Sequence, residues 1–170
     1  LTVRDIERAE IHLREAVALA PDEAHYHYLL GFTYSIAEAW PSARNELREA
    51  VRLFPGNAEY IRALGWALHS GGEKESGIQY LRKSIRLDPA NAWALSDLAV
   101  AYTCDHEFDR AVRCAERALR LSPDDERLQE TLRMARYFKK EFDRMGSAAA
   151  PWMGGGTSAS LSPSRRSEIR

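Results

Sequence analysis

The chain has 170 residues, of which 45% are hydrophobic and 29% charged, and its formal net charge is -1. That is the profile of a globular chain with one sizeable core, it offers no global field for nucleic acid or an anionic membrane, and no apolar run approaches the roughly 18 residues that cross a bilayer. The start, Leu1 rather than Met, fits a truncated or processed chain and carries no signal-peptide pattern, which points to a cytoplasmic protein.

Residues 1–23 place Ile6, Ala9, Leu13, Ala16 and Leu19 at helical spacing and read as a lone helix, the second half of an incomplete unit. From residue 24 one pattern is then written three times at a fixed period of 34, in blocks 24–57, 58–91 and 92–125. In the first block Leu30, Gly31 and Tyr34 share a helical face, the pattern breaks near residues 39–41, and Ala43, Leu47 and Ala50 mark a second amphipathic helix. The next block gives Leu64, Gly65 and Leu68, then Gly77, Leu81 and Ser84. The third gives Leu98, Ala99 and Tyr102, then Ala111, Ala115 and Ala118. Residues 126–145 continue as one long helix with Leu128, Leu132, Ala135 and Phe142 on a face, expected to act as a polar cap. Residues 146–170, rich in Gly, Ser, Ala and Pro, read as a tail whose apolar Trp152 and Met153 are expected to dock in a groove.

Pro21, Pro55, Pro89 and Pro123 lie 34 residues apart, three of them in the phrases RLFPGN, RLDPAN and RLSPDD. Proline has no N–H and pushes the residue before it out of the α region, so each second helix must stop there. Asn57, Asn91 and Asp125 then stand where a side-chain oxygen can cap the next helix, and Arg52, Arg86 and Arg120 where a cation suits a helix C-terminus. Gly31, Gly65 and Gly77 lie inside the helices, at about 1 kcal/mol each relative to alanine, which predicts close helix–helix approach at those points.

This 34-residue pattern of Leu-Gly, Tyr, Ala, large apolar, Ala and Pro resembles the tetratricopeptide repeat family over about residues 2–145. Ala99, Leu68, Gly77, Ala115 and Ser84 are conservative departures, and His27, Ile61 and Leu95 replace the family's first-helix tryptophan. The resemblance implies an all-α, right-handed superhelical solenoid in which first helices line a concave groove. It implies inward-facing Tyr28, Phe32, Ile36, Arg62, Trp66, His69, Trp93 and Val100 as the partner-binding residues, with Arg127, Met134, Tyr137 and Phe138 added by the last helix. The Lys, Asn and Arg clamp of the chaperone-tail readers is missing, and Asp97 in the groove would repel a carboxylate.

No motif of an enzyme, phosphate cradle or metal site is present; His25 and His27 are two apart on a helix and face different sides. Cys104 and Cys114 have neither metal-ligand nor disulfide-framework spacing, and His106 near Cys104 forms no nucleophile–base arrangement. Arg110, Arg113, Arg117 and Arg120 form a ridge on one helix face that would suit a phosphate-rich partner, but Glu116 beside it favours an ordinary solvated face over nucleic acid. The sequence therefore reads as a non-catalytic, cofactor-free scaffold or adaptor holding a protein or peptide segment in an aromatic groove. Two alternatives stay open: a self-associating structural protein joined through its terminal helices, with Ile6, Leu13 and Val17 the uncovered face of the first, and a secretion-type chaperone.

Overall fold

A 34-residue unit that must bury two amphipathic faces does so by folding its halves against each other. In the computed structural model, which describes residues 3–149 and side chains to residue 146, eight helices and no strand occur among the described residues. They are α1 (Val3–Leu19), α2 (Ala24–Ile36), α3 (Trp40–Leu53), α4 (Ala58–Ser70), α5 (Lys74–Leu87), α6 (Ala92–Cys104), α7 (Phe108–Leu121) and α8 (Glu126–Ala149). Each helix packs on the next in sequence. In addition α2 touches α4, α4 touches α6 and α6 touches α8, whereas α1, α3, α5 and α7 do not touch one another. The chain is thus a two-layer helical solenoid, with even-numbered helices forming a continuous inner row and odd-numbered ones standing apart outside.

The punctuation works as the residues require. Helices α3, α5 and α7 each end two residues before a proline. Asn57 Oδ1 accepts from the Glu59 and Tyr60 amides at 2.9 and 3.2 Å, Asn91 Oδ1 from the Ala94 amide at 2.9 Å, and Asp125 Oδ1 from the Arg127 and Leu128 amides at 2.9 and 3.3 Å. The turn inside each unit also repeats. Glu38, Gly72 and His106, 34 apart, all have positive φ, and the Ala39, Glu73 and Glu107 amides reach back to the Tyr34, Leu68 and Tyr102 carbonyls at 2.8–2.9 Å. This is the six-to-one hydrogen bond that closes a helix through a left-handed residue.

Close approach explains the helical glycines. A Cβ on Gly65 would lie 2.8 Å from the Leu81 amide nitrogen, and one on Gly77 only 2.5 Å from that of His69, so α4 and α5 meet backbone to backbone. Ser84, where the pattern has alanine, is fully buried and donates to the Ala58 carbonyl at 2.8 Å, which satisfies its hydroxyl.

The two ends differ from expectation. Leu13 and Val17 pack against the core formed by Leu30, Leu47 and Leu64, so they are not an uncovered face; α1 instead exposes Val3, Ile11 and Leu19. The last helix is not a polar cap: α8 buries Leu128, Leu132 and Ala135 but exposes Met134, Tyr137, Phe138, Phe142 and Met145. It also runs past Gly146 to Ala149, beyond the boundary that composition suggested. Trp152 and Met153 lie outside the described residues.

Candidate functional site

Because the inner helices are one repeat apart, residues at matching places in α2, α4 and α6 become neighbours. On α2 the rings of His25, Tyr28 and Phe32 stack in succession, and Tyr28 also stacks on Tyr60 of α4 with centroids 4.9 Å apart. Phe32 and Ile36 remain 42% and 41% exposed, too large a share for core residues, and Trp66 of α4 is half-buried. Between α2 and α4 these three side chains, with Ser35, Arg62 and Ala63, line a cavity of about 240 Å³. It has an aromatic and aliphatic wall and room for one large apolar side chain.

The floor beside it is ionic. Arg62 donates through Nε and Nη2 to both oxygens of Glu59, at 2.8 and 2.6 Å, and through Nη1 to Asp97 Oδ2 at 2.5 Å. The Tyr28 hydroxyl donates to Glu59 Oε1 at 3.1 Å, so the network ties α2, α4 and α6 together. Burial would push the Glu59 carboxyl up, but the hydrogen bonds and charge of Arg62 overcome it and hold that carboxyl below the usual range. Asp97 goes the other way: burial raises it by more than the shared Arg62 lowers it. Arg62, opposed by burial but facing two carboxylates, is held above its ordinary value, and burial together with Glu59 pushes the Tyr28 hydroxyl up to about 12. One guanidinium against two carboxylates leaves a net negative charge, so this floor disfavours an anionic ligand.

Of the remaining residues expected in the groove, Trp93 on α6 is 40% exposed and lies under the Arg127 guanidinium of α8, 5.8 Å from the ring centroid. Val100 is half-buried on α6, outside the cavity. His69 is buried: its ring stacks on Trp66, its Nε2 is 3.5 Å from Asp105, and Gly77 lets α5 close over its backbone. It supports Trp66 from behind and presents no surface to a ligand. His27, likewise buried, has partners on both ring nitrogens, Glu46 at 2.7 Å and the Pro21 carbonyl at 2.9 Å. The ionic floor is what sequence reasoning missed. Arg62 and Asp97 were both expected in the groove, and their spacing of 35 residues, one repeat plus one position, was the signal that could have paired them.

Residues 37–92 match the family model of the tetratricopeptide repeat. Among solved structures, the chain is similar to a crystal structure of MamA at 24% identity and a TM-score of 0.66, covering 86% of this chain and 92% of that one. The tetratricopeptide domain of Arabidopsis OM64 matches at 20% identity and a TM-score of 0.62, covering 67% of this chain and 94% of that one. A mutant O-GlcNAc transferase from Thermobaculum terrenum matches at 30% identity and a TM-score of 0.62, covering 68% of this chain but 23% of that one. No curated protein matches the sequence. The likenesses carry the fold, helical repeats stacked into a solenoid. No helix among the described residues is long and apolar enough to cross a membrane.

Proposed function

We propose that this tetratricopeptide-repeat chain is a protein-interaction module that holds a peptide segment of a partner protein on its inner face, without catalysis or cofactor. The observation that carries this reading is the cavity between α2 and α4, with Phe32 and Ile36 left exposed at its rim and Trp66 behind them. Exposed large apolar groups clustered in a concave site lose water when a partner's side chain enters, and aromatic residues in such places dominate binding energy. The negative floor at Glu59 and Asp97 selects against a carboxylate and in favour of an apolar anchor flanked by neutral or basic residues. Arg62, committed to its two carboxylates, orders the floor instead of reading the ligand. Trp93 under Arg127, with Met134, Tyr137 and Phe138 beyond, extends the apolar surface toward α8. Phe32→Ser tests the reading: a peptide selected on the wild-type chain should lose about tenfold or more in affinity while the helical circular dichroism stays unchanged. Equal affinity in the variant would move the site elsewhere.

One observation favours self-association as a second reading. Helix α1 has no fully buried residue and leaves Ile11 56% and Leu19 87% exposed. A second copy covering that face would stabilise the pair by roughly 1.5–3 kcal/mol per large side chain buried. Light scattering across a concentration series tests it, and a monomer at every concentration would exclude it.

A further inference from the structure

The outer row leaves gaps because its helices do not touch, and the gap between α5 and α7 holds a cleft of about 530 Å³. Arg82 and Arg86 of α5 line one wall and Arg110, Arg113 and Arg117 of α7 the other, and all five are exposed. No carboxylate lines this cleft. Arg110 pairs with Glu107 at 2.7 Å and Arg113 acts on the Asp109 carboxylate; Arg117 donates to the Pro89 carbonyl, and Arg82 and Arg86 form no ion pair with a described residue. Five guanidiniums against the Glu107 and Asp109 carboxylates leave about three positive charges at one spot on a chain whose net charge is -1. The cleft floor is apolar, formed by Leu95, Leu98 and Tyr102 of α6 with half-buried Ile85 and Cys114. Burial pushes the Cys114 thiol up while Arg113, Arg117 and Arg82 pull it down, so guanidiniums from both walls converge on the same point.

We infer that this outer cleft is a second binding site, for an acidic peptide segment that places an apolar side chain on the floor and carboxylates on the two arginine walls. Like charges in excess of their partners cost electrostatic energy, which an acidic ligand would relieve through charge-assisted, bidentate hydrogen bonds. The arginine stems add apolar surface to the walls. Nucleic acid fits less well, because the one aromatic ring of the floor, Tyr102, is buried and already covered by Arg110 at 5.6 Å, leaving no platform for a base. The site is separate from the inner cavity, which lies between α2 and α4 and carries the opposite charge.

The test is fluorescence anisotropy on the full chain with a labelled Glu-rich helical peptide bearing a leucine stripe. Its Gln-for-Glu counterpart and a single-stranded oligonucleotide of matching charge serve as competitors. The expected result is binding of the Glu peptide that weakens with salt, resists both competitors, and falls about tenfold or more in Arg82→Glu/Arg113→Glu. Both arginines are exposed and outside the core, so the variant should keep its helical spectrum; Arg82→Gln/Arg113→Gln, with no charge reversal, should show a smaller loss in the same direction. Trp66→Ala should leave this binding unchanged, which separates the cleft from the inner groove. Undiminished binding in both arginine variants, or a preference for the oligonucleotide, would overturn the proposal. So would self-association that the arginine variants abolish without any binding of the Glu peptide, which would assign the cleft to a second copy.

Discussion

Replacing Gly77 with alanine should destabilise the solenoid although alanine is the better helix former. A Cβ there would sit 2.5 Å from the His69 amide nitrogen, 2.6 Å from its Cβ and 2.7 Å from the Gly65 carbonyl oxygen. All three atoms belong to or hang directly from the α4 backbone, so no side chain can swing away; α4 and α5 must separate toward the ordinary 3.5–4 Å. Helix propensity returns about 1 kcal/mol, while overpacking costs about 1–3 kcal/mol and the loosened interface around Leu64 and Leu81 adds to it. The net loss should be about 1–3 kcal/mol, or a fall of roughly 2–12 °C in the thermal midpoint at about 2–4 °C per kcal/mol. Gly56→Ala is the control: nothing lies within 4 Å of its Cβ and its φ is not positive, so stability should hold or rise slightly. Thermal and urea melts followed by circular dichroism measure both. A Gly77→Ala midpoint equal to or above wild type would refute the backbone-contact reasoning.

Asn91→Ala, which removes the hydrogen bond to the Ala94 amide, should cost about 1 kcal/mol in urea melts, and Asn91→Gly only a few tenths. Arg62→Ala should cost on the order of 1–3 kcal/mol at neutral pH, less than for a fully buried pair because Glu59 is partly exposed. That loss should shrink as pH falls through the carboxylate range. In wild type the depressed Glu59 carboxyl contributes stability above its unfolded pKa that disappears on acidification. In the variant, protonating the raised Asp97 relieves an unpaired charge. A pH-independent difference between the two melts would count against the ionic floor. Ile11→Glu should abolish any concentration-dependent assembly seen by light scattering without loss of helicity, whereas Leu13→Glu should lower the melting midpoint, because Leu13 packs on the core.

Local rules carried most of the fold. A period of 34 places Pro21, Pro55, Pro89 and Pro123 two residues past a helix, Asn57, Asn91 and Asp125 at the next helix start, and Gly31, Gly65 and Gly77 at helix contacts; all of this depends on residues near in sequence or at equal places in a repeat. Of the eight residues expected in the groove, Phe32, Ile36, Arg62 and Trp66 line one cavity, whereas Tyr28, His69, Trp93 and Val100 do not. What stayed hidden depends on contacts between repeats. Arg62 read as a partner-binding residue because its second carboxylate comes from the next unit, and His69 read as inward because the pattern gives a side chain's direction without saying what closes over it. Arginines on α7 looked like a solvated ridge when taken alone. Only the gap beside α5 brings Arg82 and Arg86 to face them. At the first helix, periodicity marked apolar residues without telling which side a neighbour covers, so Leu13 and Val17 read as uncovered although they pack on the core.

The central claim, that the inner cavity between α2 and α4 holds a partner's apolar side chain, is tested most directly by one comparison of affinities. Peptides selected from an unbiased displayed library on the wild-type chain are titrated by calorimetry against wild type and Trp66→Ala, with Arg82→Glu/Arg113→Glu as the outer-face control. Truncating an aromatic anchor at the centre of a site costs about 2 kcal/mol or more, so the dissociation constant for Trp66→Ala should rise about thirtyfold or beyond. Selected peptides should carry a large apolar residue without flanking carboxylates, and the outer-face variant should bind them like wild type. Peptides that bind Trp66→Ala as tightly as wild type would contradict the claim.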